Sequence, residues 1–99
     1  MAITTQLTDQ ELSILVDGRL DFSIHEEFCA TFQKNDKAIN SYVIDMHKAT
    51  HLDSSGLGMM LLLRIHAKDN KAQLRIVKCS HAIKKVLTIA SFDRMFVIE

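Results

Sequence analysis

HLDSSGLGMML (residues 51–61) places an acid, two serines and two glycines where an apolar run begins. Asp53 or Ser54 can cap a helix starting here by accepting a bond from an orphan backbone N–H. Ser55 then falls in the first turn with its hydroxyl near the surface, and Gly56 and Gly58 follow within a turn or so. A glycine inside a helix costs about 0.5–1 kcal/mol relative to alanine, and less near an end. Two such positions need a reason. One is close packing of the helix on a strand; the other is a bare backbone that a second surface can approach.

Downstream, the pattern predicts a helix to about Asn70. On a helical wheel Met59, Met60, Leu63 and Ala67 form one face, flanked by Leu62, while Leu57, Leu61 and Ile65 lie on the other side beside Arg64 and Lys68. A helix apolar all round is either fully buried or carries a second contact surface. A domain of 99 residues has little room to bury one on every side.

Upstream, SYVIDM (41–46) reads as a short apolar strand consistent with burial on both faces, and ATHLDSSG as the loop between it and the helix. DFSIHEEFCATFQK (21–34) reads as a helix with Ser23 and Glu26 in capping-box spacing and Ile24, Phe28, Cys29 and Phe32 on one face. AITTQL and ELSILVDG, joined by the turn TDQ, predict two strands at the start. AQLRIVKC predicts a strand, SHAIKKVLTIA a third helix capped by Ser80, and RMFVIE a last strand. The order β-β-α-β-α-β-α-β makes an α/β single domain over residues 1–99: a mixed, mostly parallel five-stranded sheet packed with helices and entered by an antiparallel hairpin. Ligand and partner sites on such sheets gather beyond the strand C-termini, where ATHLDSSG must lie.

Twelve basic residues balance twelve acidic ones and are dispersed along the chain, so no basic field exists to track a phosphate backbone, and nucleic acid is not an expected partner. The longest apolar run, Leu57 to Leu63, falls well short of the roughly 20 residues that span a bilayer, so no direct membrane insertion is expected. MAITTQLTDQ has neither the basic nor the apolar region of a signal peptide. Cys29 and Cys79, without a CxxC partner, read as buried thiols in a reducing cytoplasm.

His47 and His51, near Asp45 and Asp53, have a spacing that would make half a metal site on a helix. In a loop that spacing loses its geometry, and no third ligand is placed to complete it; no metal or cofactor is expected. A hydrolase elbow is missing, since Asp53 stands where its first glycine should be and a seven-residue loop separates strand from helix. Phosphate-loop and dinucleotide fingerprints are missing too, so no catalytic residues are expected.

The hexapeptide DSSGLG (53–58), within VIDMHKATHLDSSGLG and together with VDGRLD (16–21), resembles the hallmark of STAS domains, the family that includes bacterial anti-sigma factor antagonists. The resemblance extends over the whole chain. It implies that Ser55, the second serine, is phosphorylated by a partner that is both anti-sigma factor and serine protein kinase, with Asp21 and Asp53 near it. It further implies a non-enzymatic partner switch: the unphosphorylated chain binds the kinase, phosphorylation releases it, and a PP2C-like phosphatase resets the cycle. Together with the helical wheel, which leaves Leu57 and Leu61 at least partly exposed, and the bare backbone of the two glycines as a floor, this gives an expected docking surface of Asp21, Asp53, Ser54, Ser55, Gly56, Leu57, Gly58 and Leu61. The alternative from the same family is an accessory subunit packed constitutively on the ATPase of a membrane lipid transporter.

Overall fold

The structure is a computed structural model that describes residues 2–33, 39–69 and 71–99. Strand β1 (Ile3–Thr8) turns at Asp9, whose φ of 55° suits an acid in a tight turn, and pairs antiparallel with β2 (Glu11–Leu20). After β2 come a single 3-10 turn (Phe22–Ile24), helix α1 (His25–Gln33), strand β3 (Ser41–Leu52), helix α2 (Ser54–Asp69), strand β4 (Gln73–Val77), helix α3 (His81–Ile89) and strand β5 (Val97–Ile98). The expected helix ends at Lys34 and Asn70 lie outside the described residues. β2 through β5 pair parallel, and the sheet order is the chain order, β1-β2-β3-β4-β5. The expected mixed, mostly parallel α/β sheet is the one observed.

Every crossover from β2 onward steps the same way across the sheet. With right-handed crossovers, α1, α2 and α3 must therefore lie on one face. Burial agrees: Leu12, Ile14 and Val16 of β2 and Tyr42, Ile44 and Met46 of β3 join Phe28, Phe32, Met59, Met60, Leu63, Ile83 and Leu87 in one core cluster. The far face carries the alternate residues. Val43 is buried there between Ser13 and Arg75, apart from the core cluster, and Arg75 bridges Glu11 and Glu99. The apolar run in β3 thus gives a strand buried on both sides at its centre, in a sheet whose helices cover only one.

Three local expectations are corrected. The last strand shrinks to Val97–Ile98, because Phe92–Arg94 form a 3-10 turn that buries Phe92 and stacks it on Phe96. Asp21, rather than Ser23, caps the segment before α1: its carboxylate accepts from the Ser23 N–H. The third bears on the site. β3 runs on to Leu52 through the stretch expected as loop, and only Asp53 separates it from α2. The polar residues His47, Lys48 and Thr50 are exposed, but Lys48, Ala49, His51 and Leu52 pair with Asp17, Gly18, Arg19 and Leu20 of β2, while His47 and Thr50 fall at irregularities in the ladder. Ser80 caps α3 as expected, accepting from the Ile83 N–H at 3.2 Å. No helix among the described residues is long and apolar enough to cross a membrane.

Candidate functional site at the ends of two neighbouring strands

Because Leu20 of β2 stands in register with Leu52 of β3, the chain leaves both strands side by side, and Asp21 and Asp53 are the next residues. Each acid organises the turn that follows. Asp53 Oδ1 accepts the Gly56 N–H at 3.0 Å and the Ser55 hydroxyl at 2.6 Å, so Asp53 is the cap of α2. Asp21 Oδ1 accepts the N–H and the hydroxyl of Ser23, and its Oδ2 takes Arg19 Nε at 3.0 Å. His51 Nε2 stands 3.7 Å from Asp53 Oδ2 in the matching place. The two corners repeat one design. It is visible in the chain as RLDFS (19–23) beside HLDSS (51–55), an echo that could have drawn attention to Arg19 and His51 as site residues.

Both carboxyls are held below the ordinary aspartate value. For Asp53 the Ser55 hydroxyl contributes most, then the Gly56 N–H; His51 adds to the effect, and burial and the Asp21 charge oppose it. Asp21 is lowered to about 2, first by the Ser23 hydroxyl, then by Arg19 and the Ser23 N–H. A depressed folded-state value stabilises the fold above the unfolded value of 3.8, and that contribution is lost as pH falls toward about 2. Asp21→Asn can still cap but cannot titrate. Its denaturation midpoint is therefore expected to fall less steeply than the wild type's between about pH 4 and pH 2 in urea titrations. Superimposable pH profiles would remove Asp21 from the acid response.

Ser54 is exposed, and Ser55 is half-buried by its bond to Asp53. Gly56 is buried and is not floor for a partner: a Cβ there would sit 2.2 Å from the Leu20 carbonyl oxygen and 2.7 Å from Leu52 Cδ1. Its reason is close packing of α2 on the ends of β2 and β3. Gly58 is the opposite case: a Cβ there would meet nothing within 4 Å. Leu57 is half-buried and packs partly on the core, whereas Leu61 is 37% exposed. Leu62, expected to flank the core face, is 40% exposed, and Ile65 60%. The outer side of α2 is thus an apolar stripe that runs away from Ser55.

The expected strand-to-helix loop, one ground for excluding a hydrolase, does not exist; the turn is sharp. The arrangement still differs from a triad, in which histidine stands between serine and acid. Here Asp53 stands between Ser55 and His51, so the imidazole has no contact through which to take the hydroxyl proton. His47 lies in β3 rather than a loop and bonds Asp45 through Nδ1 at 3.0 Å, with Lys78 on the other carboxylate oxygen at 3.9 Å. No group of three or more potential metal ligands occurs among the described residues.

Comparison with known proteins puts this corner in context. The family described as "Mlab, STAS domain" matches residues 3–99. A STAS-domain containing protein of Pseudomonas aeruginosa is 42% identical over 101 residues, covering 100% of each chain. The phosphorylated form of SpoIIAA, a Bacillus cell fate determinant, superimposes with a TM-score of 0.79 at 18% identity, over 99% of this chain and 91% of that one. The anti-sigma-factor antagonist STAS domain of Rhodobacter sphaeroides is 26% identical, with a TM-score of 0.62 over 77% of this chain and 84% of its own.

Proposed function

The chain belongs to the STAS domain family, and we propose that within it the protein acts in the cytoplasm as an anti-sigma-factor-antagonist-like partner switch controlled by a phosphate on Ser55. The observation that carries this reading is the seat of Ser55: in the first turn of α2, bonded to Asp53 at 2.6 Å, at the head of the stripe Leu61, Leu62 and Ile65. A kinase-type anti-sigma factor docks on Asp21, Asp53, Ser54, Ser55, Leu57, Gly58 and Leu61. Phosphoryl transfer forms the bond from Oγ to phosphorus, breaks the bond to ADP and passes the hydroxyl proton to a base of the kinase or to water. A PP2C-like phosphatase reverses the step by hydrolysis. The protein itself supplies the acceptor and no catalytic group.

A phosphoserine brings about −1.5 to −2 charges. The start of α2 tolerates an anion, because its N–H groups and dipole favour one, so the fold persists and the change is felt at the docking surface. One like-charge contact at about 5 Å and an effective dielectric of 20 costs about 3 kcal/mol, on the order of a hundredfold in affinity. Incubation with the cognate kinase and ATP, followed by fragmentation mass spectrometry, is expected to place the phosphate on Ser55. Ser55→Ala is expected to bind the partner constitutively and Ser55→Asp weakly. Phosphate confined to Ser54 would refute the assignment. Equal binding by all forms would point instead to the constitutive docking of a transporter-associated subunit.

A further inference from the structure

We propose that His51 is the residue that holds the phosphate once Ser55 carries one. The inference rests on Ser55 as the phosphate site and concerns what that site does next.

Esterification removes the hydroxyl proton, so Ser55 can no longer donate to Asp53 Oδ1. The 2.6 Å bond becomes a contact between a phosphate ester and a carboxylate, with the Asp21 carboxylate also acting on the same corner. The charged or titratable groups that hydrogen bonds and ion pairs hold at this corner are Asp53 at the start of α2, Asp21 and Arg19 at the end of β2, and His51 at the end of β3. The other charged residues of β2, β3 and α2 (Glu11, Asp17, Asp45, His47, Lys48, Arg64, His66, Lys68 and Asp69) lie elsewhere along those elements. Two acids already face one arginine and one imidazole, and the phosphate adds further negative charge.

Arg19 is committed: its Nε donates to Asp21 Oδ2 at 3.0 Å, and that same carboxylate holds the turn before α1. Although Arg19 is the more exposed side chain, 62% against 39%, His51 is the less tightly bonded: its Nε2 stands 3.7 Å from Asp53 Oδ2, beyond a good hydrogen bond. Nε2 and the Ser55 hydroxyl face the two oxygens of one carboxylate, so a phosphate on Ser55 comes within a side-chain rotation of the imidazole. Protonated imidazole supplies a charge-assisted bond to a phosphate oxygen. His51 therefore exchanges Asp53 for the phosphate and offsets part of the negative charge that the phosphate adds, without disturbing Arg19.

The test uses the full chain with phosphoserine genetically encoded at position 55, so it does not depend on any kinase. The second ionisation of the phosphate, near pH 6 in free phosphoserine, is followed by ³¹P NMR. A cation beside the phosphate favours the dianion, so His51→Gln is expected to raise the titration midpoint by about 0.5–1 unit relative to wild type. His51→Lys, which keeps a cation, is expected to restore it, and salt to shrink the difference. A merely structural histidine would not show that rescue. Equal midpoints in wild type and His51→Gln would overturn the proposal, and a shift on Arg19→Gln alone would reassign the phosphate to Arg19. Partner affinity of the same phosphoprotein is measured separately. Undiminished binding there would defeat the switch while leaving the His51 contact standing.

Discussion

Gly56→Ala is expected to destabilise the domain by about 3 kcal/mol or more, whereas Gly58→Ala, two residues on, is expected to stabilise it by about 0.5–1 kcal/mol. At position 56 the added methyl meets the Leu20 carbonyl oxygen at 2.2 Å and Leu52 Cδ1 at 2.7 Å. Leu52 can turn aside; a backbone carbonyl in a paired strand cannot. Relief requires α2 to lift from the ends of β2 and β3, which loosens Met59, Met60 and Leu63 beneath it. For a domain of this size the loss corresponds to a melting temperature lower by well over about 10 °C. At position 58 the methyl enters open space, and helix propensity alone decides. Urea denaturation of the two variants beside wild type checks both signs. A Gly56→Ala variant within about 0.5 kcal/mol of wild type would show that the corner yields. On the proposed docking surface a bare helix backbone at Gly58 lets a partner approach, so Gly58→Ala is expected to be more stable but to bind less well.

Leu61→Lys is expected to abolish partner binding, by about a hundredfold or more, while leaving the melting temperature within a few degrees of wild type. Leu61 is 37% exposed and continues into Leu62 and Ile65, so a lysine there reaches solvent without emptying the core. In a complex the same stem would carry a charge into an apolar contact that supplies about 25 cal/mol per Å² buried. Met60→Lys is the internal control, since Met60 is fully buried and its replacement is expected to unfold the chain. Calorimetric titration of the kinase partner into Leu61→Lys, with the circular dichroism melt of the same sample, separates lost binding from lost structure. Retained affinity would move the docking surface off this face of α2.

Much of this was legible from local pattern. Apolar residues at helical spacing separate Met59, Met60, Leu63 and Ala67, all buried, from Leu61 and Ile65, both exposed. Ser80 announces its helix because a cap is a contact between near neighbours in the chain. Where a local signal misled, a contact from farther along the chain had overruled it. The end of β3 is rich in polar residues and reads as loop. It is a strand because the ladder bonds come from the backbone and the partner strand is present.

The sequence by itself determined the element order, a helix start at Asp53 or Ser54, the second serine in its first turn and the apolar outer side of α2. Each of these depends on residues within a few positions of one another. Only the tertiary structure decided that Gly56 lies under the Leu20 carbonyl, that all three helices share one face, and that Asp21 and Asp53 cap neighbouring corners with Arg19 and His51 behind them. Those facts follow from the register of β2 on β3, Leu20 against Leu52, between segments more than thirty residues apart. Register is settled by pairing and by burial of a whole face at once, and no short stretch of chain encodes it alone.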